Sequence, residues 1–137
     1  MNTDTGEKLH RGSCHCGNVQ FEVSVNALHG SRCNCRICTK LGVLSANVKP
    51  SAFRLLTDES KLASYSRFPE IANRYFCSNC HTLCFGKGDI PEVGGAFVSV
   101  NLNTLDDIDP AQVAVVYWDG RHDNWQAGPR AEPWPIN

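Results

Sequence analysis

The sequence predicts a mainly β protein built from antiparallel sheets with little helix. Apolar and polar residues alternate strictly over residues 19–25, which is the pattern of a strand with one buried face. Further short strand-like runs, separated by Gly, Pro, Asn or Asp, lie at residues 43–48, 62–66, 73–76, 83–86, 97–102 and 113–118. No segment has sustained helical periodicity, so we expect helix only as isolated turns.

The strand over residues 19–25 is the clearest element. Its apolar positions are Val19, Phe21, Val23 and Val25, and the residues between them are polar. Side chains of a strand point to opposite faces in turn, so these four side chains define one buried face.

The remaining elements are predicted from the turn residues and from the lengths of the segments that connect the strands. The strand-like runs are joined mostly by short segments, which favours antiparallel pairing over crossover helices. Helical turns are predicted at residues 36–41 and 105–108. Residues 128–137 contain three prolines and are predicted to lie as an extended tail over the surface.

Length and composition limit the classes of protein. The chain has 137 residues, which predicts a single domain over residues 1–137. A net charge of -1 argues against general nucleic-acid binding, because phosphate contacts need a surplus of Lys and Arg. No apolar run is long enough to span a bilayer, and the polar N-terminus does not resemble a signal peptide. The expected location is the cytoplasm, and the expected partners are small molecules rather than nucleic acid or membrane.

The eight cysteines are the strongest indication of function in the sequence. In a reduced cytoplasm, cysteines at such spacings are better interpreted as metal ligands than as disulfides. Cys14 and Cys16, like Cys33 and Cys35, are too close in sequence to pair comfortably with each other. We therefore predict zinc, with two ions per chain.

Two of the cysteine pairs lie at strand ends. Cys14 and Cys16 precede the strand at residues 19–25, and Cys77 and Cys80 follow the strand ending at Phe76. Tetrahedral zinc holds its sulfurs about 3.8 Å apart, a spacing that a tight turn gives to a CxC or CxxC pair. Together the two pairs can close a four-cysteine site that ties distant strands together.

The remaining cluster, Cys33-Asn34-Cys35-Arg36-Ile37-Cys38, supplies three sulfurs within six residues. A fourth ligand such as Cys84 would make a closed structural site, whereas a water or a ligand's thiol would leave a site for chemistry. Cys84 lies between Leu83 and Phe85 in an apolar strand, so we interpret it as a small buried hydrophobe and leave it out of both sites.

The three cysteine motifs and their surroundings resemble the glutathione-dependent formaldehyde-activating enzymes. The resemblance is carried by Gly-Ser-Cys-His-Cys-Gly at residues 12–17 and Val-Gln-Phe-Glu-Val at 19–23, then by the CxCxxC motif at 33–38, Ala-Phe-Arg at 52–54 and Phe-Cys-Ser-Asn-Cys-His-Thr at 76–82. It extends over nearly the whole chain, as far as Trp125.

The resemblance implies an Mss4-like fold of antiparallel β-sheets that a four-cysteine zinc site holds together. The structural zinc would be held by Cys14, Cys16, Cys77 and Cys80. The catalytic zinc, with an open position, would be held by Cys33, Cys35 and Cys38. The implied activity joins glutathione to formaldehyde to give S-hydroxymethylglutathione, which is a carbon–sulfur lyase reaction run in reverse.

Two departures leave the substrate open. The chain is compact for a glutathione pocket, and His81 stands where the family usually has glycine. One alternative is therefore the same open zinc acting on another thiol or small electrophile. A rival from another class is a non-enzymatic Mss4-like zinc module that acts as a chaperone or binds another protein.

Several residues near the motifs have two interpretations each. His15, His81 and His122 are candidate proton donors, although a single histidine is more often a supporting or surface residue. Arg36 could attract a substrate carboxylate or offset thiolate charge. Residues 119–125 could form a wall of the pocket, or a solvated hairpin with Trp125 tucked onto the core.

Overall fold

The computed structural model describes residues 6–136, which form ten strands in two sheets. The small sheet has the order β1-β2-β5 and the large sheet the order β10-β3-β4-β9-β8-β7-β6. The strands are β1 Lys8–Ser13, β2 Gln20–Val25, β3 His29–Cys33, β4 Ser45–Val48, β5 Phe53–Leu55, β6 Leu62–Tyr65, β7 Ala72–Cys77, β8 Leu83–Ile90, β9 Gly95–Asn101 and β10 Ala114–Trp118.

Helical structure in the described residues is short. The α-helix α1 spans Arg36–Leu41, as predicted. The other helical pieces are 3-10 turns at Pro50–Ala52, Glu59–Lys61, Pro91–Val93, Leu102–Thr104, Pro110–Gln112, Gly120–His122 and Trp125–Ala127. The prediction of a mainly β protein with little helix is confirmed.

The core lies between the two sheets. Phe21 and Val23 of β2 are fully buried, and they pack with the buried Phe85, Val98 and Val100 of the large sheet. The ring of Phe21 lies 6.1 Å from that of Phe85, centroid to centroid. The alternation in residues 19–25 therefore marks the inner face of the small sheet, as predicted.

The predicted helical turn at residues 105–108 is wrong. Leu105 forms a bridge with Gly12 of β1, and the amide of Asp106 donates to the carbonyl of Arg11 at 2.9 Å. The turn occurs earlier, at Leu102–Thr104, where the Asn101 side chain accepts from the amide of Asn103. Residues 105 and 106 thus pair with the backbone of the distant strand β1 and do not form the helical turn that the local pattern predicts.

Strand β8 is longer than predicted, because it continues through two glycines to Ile90. Gly88 lies opposite Phe97 of β9, and a Cβ at Gly88 would lie 2.4 Å from the tip of the Phe97 ring. Glycine therefore makes room for this ring rather than ending the strand.

One strand pair corrects the expectation of antiparallel sheets. Strands β3 and β10 are parallel, with Ala114 opposite His29 and Trp118 opposite Cys33. Both strands consequently end at the same edge of the large sheet. Residues that follow Trp118 are thereby brought to Cys33, which is distant in sequence.

No helix within residues 6–136 is long and apolar enough to cross a membrane.

Candidate metal centres

The first cysteine group brings together Cys14, Cys16, Cys77 and Cys80, whose sulfur atoms all lie within 4.8 Å of one another. The Sγ of Cys16 is 3.7 Å from that of Cys14 and 3.6 Å from that of Cys77. Tetrahedral zinc with Zn–S bonds of about 2.3 Å requires sulfurs about 3.8 Å apart. The geometry of this group therefore fits a zinc ion.

Backbone amides surround these sulfurs. The amide of Val19 donates to the Sγ of Cys14 at 3.2 Å, and the amides of Asn79 and Cys80 donate to the Sγ of Cys77 at 3.4 Å each. Such donors stabilise thiolates. The turn after Cys77 closes through His81, which has a φ of 64° and donates its amide to the Cys77 carbonyl. His81 thus occupies a left-handed position that favours glycine, in line with the departure noted in the sequence.

The cysteines of this group differ in pKa when no cation is bound. Burial raises the pKa of Cys14 to about 11. Hydrogen bonding to Thr82 lowers the pKa of Cys80 to about 5. Four thiolates this close repel one another, so a divalent cation is the natural counter-charge for the fully deprotonated group.

The first group joins the two sheets. Cys14 and Cys16 follow β1 of the small sheet, whereas Cys77 ends β7 of the large sheet. A metal ion held by all four sulfurs would therefore link elements that are 61 residues apart in the chain.

The second group comprises Cys33, Cys35 and Cys38, whose sulfurs also lie within 4.8 Å of one another. Cys33 ends β3, and Cys35 is the N-cap of α1, where its side chain accepts from the amide of Cys38 at 3.4 Å. Hydrogen bonds with Cys33 and Cys38 lower the pKa of Cys35 to about 2, whereas hydrogen bonds with Cys33 and Cys35 raise the pKa of Cys38. The three sulfurs can occupy three corners of a tetrahedral site.

Arg74 is a residue of this site that the sequence analysis missed. Its Nη2 atom lies 3.8 Å from the Sγ of Cys38. Arg36, which was considered for a charge role, is exposed on α1. Arg74 is on β7, and nothing in the sequence around it indicates that it reaches a cysteine 36 residues away.

A hydrogen-bonded network holds the residues after β10 against the second group. The side chain of Asn34 donates to Asp119 at 2.8 Å and accepts from the amide of Arg121 at 2.9 Å. Asp119 is buried and also contacts the Nδ1 of His122 at 2.8 Å. Hydrogen bonding from Asn34, followed by His122, lowers the pKa of Asp119, so its carboxylate stays charged.

Gly120 lies directly on the cysteines. A Cβ at this position would be 2.5 Å from the Sγ of Cys33, 2.7 Å from the Trp125 ring and 3.2 Å from the Cβ of Cys35. No larger residue fits there without moving the site. Residues 119–125 therefore form a wall of the second group, while Trp125 stays half exposed and packs near Trp118, at 6.1 Å between ring centroids.

A cavity of 270 Å³ adjoins the second group on another side. Cys33 and Cys38 both line it, together with the aromatic rings of Tyr117, Trp118 and Trp134. A larger cavity of 520 Å³ lies over Phe53 and Tyr75, away from the cysteines. The smaller cavity is therefore the one that adjoins the second group.

The other candidate residues divide between the two groups. His15 and His81 lie in the turns of the first group, where the amide of His15 approaches the Thr82 hydroxyl at 3.3 Å. His122 alone of the three contacts the network beside the second group. Cys84 is fully buried, and burial raises its pKa to about 12. Its sulfur donates to the carbonyl of Thr82 at 3.4 Å, and it belongs to neither cysteine group.

The fold and these two groups define a class of protein: a small β protein whose cysteine sulfurs are arranged to hold metal ions. Within that class, a model of the glutathione-dependent formaldehyde-activating enzyme family matches residues 9–120. The chain therefore belongs to this family, and the resemblance seen in the sequence is confirmed.

A solved structure supports the fold. The crystal structure of a Rhodobacter sphaeroides protein is similar to this chain, with a TM-score of 0.69 and 25% sequence identity. The similarity covers 79% of this chain and 98% of that chain.

Proposed function

We propose that this chain binds two zinc ions and joins glutathione to formaldehyde at the second of them. Cys14, Cys16, Cys77 and Cys80 hold the structural ion. Cys33, Cys35 and Cys38 hold the catalytic ion. The observation that carries the proposal is a three-sulfur group that borders a cavity, in a chain that belongs to the glutathione-dependent formaldehyde-activating family.

The reaction forms one carbon–sulfur bond. The glutathione sulfur attacks the formaldehyde carbon, the carbonyl double bond becomes a C–O single bond, and the proton lost by the thiol ends on that oxygen. The product is S-hydroxymethylglutathione, and the reverse direction is a carbon–sulfur lyase reaction. A zinc ion held by Cys33, Cys35 and Cys38 would supply a fourth position at which a substrate thiol could bind and lose its proton.

The protein's own residues set the access and the charge of this position. Cys33 and Cys38 line the cavity, whereas Gly120 covers Cys33 and Cys35 from another side. A thiol therefore approaches through the cavity. The Arg74 guanidinium beside Cys38 offsets the negative charge that three thiolates leave on a divalent ion.

His122 is assigned a positioning role. Its Nδ1 atom contacts Asp119 at 2.8 Å and its Nε2 atom contacts the carbonyl of Ile136 at 3.2 Å. Both ring nitrogens are thus engaged by oxygen acceptors, so the ring holds the Asp119 network in place and has no nitrogen free to donate to an alkoxide.

The position of Cys84 supports an enzyme over the rival zinc-binding module. A module of purely structural zinc sites requires a protein side chain as fourth ligand at the second ion. Among residues 6–136, the cysteine group there contains three members, and Cys84 instead contacts Thr82 beside the first group.

Cobalt replacement tests the proposal. The cobalt-loaded protein is titrated with glutathione, and we expect its absorption spectrum to change as a sulfur enters the second site. Cys35→Ser, which lacks that site, should show no such change. Formation of S-hydroxymethylglutathione, followed by NMR, should be faster with the zinc protein than with Cys35→Ser, since the reaction also proceeds slowly without catalysis. An unchanged cobalt spectrum would count against the proposed function.

A further inference from the structure

We propose that the C-terminal strap, residues 128–136, forms the binding wall for the body of the substrate thiol, and that Trp134 and Arg32 select small thiols carrying a carboxylate. The inference rests on the proposed function and deepens it. The family match ends at residue 120, so the strap lies beyond the part of the chain that carries the family pattern. The sequence analysis expected only an extended tail there.

The strap is fixed to the last strand of the large sheet. The amide of Tyr117 donates to the carbonyl of Arg130 at 2.7 Å, and the amide of Arg130 donates back to the carbonyl of Tyr117 at 3.0 Å. The indole Nε1 of Trp134 donates to the same Tyr117 carbonyl at 2.8 Å. The main chain of β10, which runs beside β3 and Cys33, is thus hydrogen-bonded directly to the indole of Trp134.

Arg130 holds the Trp134 ring in its orientation. Its guanidinium lies 3.9 Å from the centre of that ring, and its Nη2 atom donates to the carbonyl of Pro133 at 2.6 Å. A cation stacked on an indole face, with its hydrogen bonds made within the same turn, restricts the rotamers of both side chains. At the end of the strap, the carbonyl of Ile136 contacts His122, which ties the strap to the Asp119 network.

The ordered strap completes the cavity at the second cysteine group. Pro133, Trp134 and Ile136 line it from the strap, and Cys33 and Cys38 line it from the site. Its 270 Å³ is slightly below the range of about 300 to 1,000 Å³ for small-molecule sites, so only a low-molecular-weight thiol fits. Without the strap, this side of the site would be open to solvent.

The charge of the residues that line the cavity limits further which thiols can bind there. Among the described residues that line the cavity, Arg32 is the one with a permanently charged side chain, and none of them is Asp or Glu. One of its nitrogens donates to the carbonyl of Gly42 at 3.2 Å, which fixes the guanidinium at the rim and leaves its other donors available. A carboxylate on the thiol can pair with this guanidinium while the rest of the molecule contacts the aromatic walls.

The test titrates thiols into the cobalt-loaded protein and measures dissociation constants from the cobalt spectrum. The probes are glutathione, 3-mercaptopropionate, and 2-mercaptoethanol, which has no carboxylate. Trp134→Ala should weaken glutathione about tenfold, equivalent to about 1.4 kcal/mol, and leave 2-mercaptoethanol within about twofold. Arg32→Gln should weaken both carboxylate-bearing thiols and leave 2-mercaptoethanol unchanged. Trp134→Phe, which keeps a ring in the wall, should restore most of the glutathione affinity.

The control is Phe68→Ala, which removes an exposed aromatic ring near the opposite edge of the large sheet and should match the unaltered protein. Equal effects of Trp134→Ala and Arg32→Gln on all three thiols, or no effect on any, would overturn the role of the strap while the proposed function stands. If no thiol alters the spectrum of the unaltered protein, the proposed function itself fails. Circular dichroism and a cobalt content equal to that of the unaltered protein verify that each variant is folded.

Discussion

The guanidinium of Arg74 lies 3.8 Å, nitrogen to sulfur, from Cys38, although Arg74 belongs to β7 of the large sheet and Cys38 to the helix α1. Three thiolates around a divalent ion carry a net negative charge, and Arg74 places a fixed positive charge next to it. Charged side chains in contact with ligands usually change metal affinity by about 10- to 100-fold.

We therefore expect Arg74→Ala to weaken metal binding at the second site by about tenfold or more. Arg74→Lys should retain part of the affinity, because the charge is kept and the shape of the guanidinium is lost. Cobalt affinity, measured by competition with a chelator, gives both values. Arg54→Ala is the control, since Arg54 is mostly exposed and pairs loosely with Glu22 at 3.8 Å. Unchanged affinity in Arg74→Ala would remove the charge argument.

Gly120→Ala should disrupt the second site selectively. The added methyl would lie 2.5 Å from the Cys33 sulfur, so either the cysteine or residues 119–122 must move. Overpacking of this kind costs about 1 to 3 kcal/mol, and we expect metal binding at the second site to weaken by about 5- to 150-fold. Metal content after dialysis should fall from two ions to one.

Gly88→Ala is the matched control for that substitution. It also creates a clash, with the tip of the Phe97 ring at 2.4 Å, but away from both cysteine groups. It should reduce stability and leave the metal content unchanged. Loss of an ion in both variants would mean that the effect of Gly120→Ala is a general loss of structure.

The two cysteine groups should differ in their effect on stability. The first group joins the two sheets across 61 residues, whereas the three cysteines of the second lie within six residues of chain. A cross-link over such a distance stabilises by about 4 kcal/mol in the chain-entropy account. We expect Cys80→Ser to lower the melting temperature by about 10 °C or more, and Cys38→Ser to lower it much less. Thermal unfolding by circular dichroism, at fixed zinc, compares them; equal losses would contradict the assignment.

Metal binding at the first group should strengthen as pH rises. Burial raises the pKa of Cys14 to about 11, so in the metal-free protein this thiol is protonated near neutral pH. Zinc requires the thiolate, and its binding must release that proton. The apparent affinity for zinc therefore increases by about tenfold per pH unit for each proton released, as long as the pH stays below the pKa of the thiol. Chelator competition in Cys35→Ser between about pH 6.5 and 8.5 isolates the first group; a flat profile would contradict the protonated thiol.

Local patterns in the sequence were sufficient for most of the strands, for α1 and for the cysteine motifs. The alternation at residues 19–25 gave the inner face of the small sheet, and residues 36–41 form the helix predicted there. The cysteines that the resemblance grouped are brought together in space, although their metal occupancy stays a prediction. In each case the signal lies within a few neighbouring residues.

The missed features depend on long-range pairing. Arg74 and Trp134 have no local signature, because each acquires its role from a partner 17 or more residues away. Strands β1 and β3 were missed as well; in β1, the apolar Leu9 faces solvent, whereas His10 and Gly12 are buried. Neither composition nor periodicity indicates which distant strand pairs with a given segment.

The parallel pairing of β3 with β10 has a consequence for the order in which the protein matures. During synthesis the chain emerges from its N-terminus, so Cys80 is available to complete the first group before β10 has been made. The sulfurs of the second group are made earlier still, but Gly120 and the strap that enclose them follow Cys80 in the chain and are made after it. Until the strap has been synthesised, those three thiols are uncovered, so the second group is enclosed later than the first group is completed.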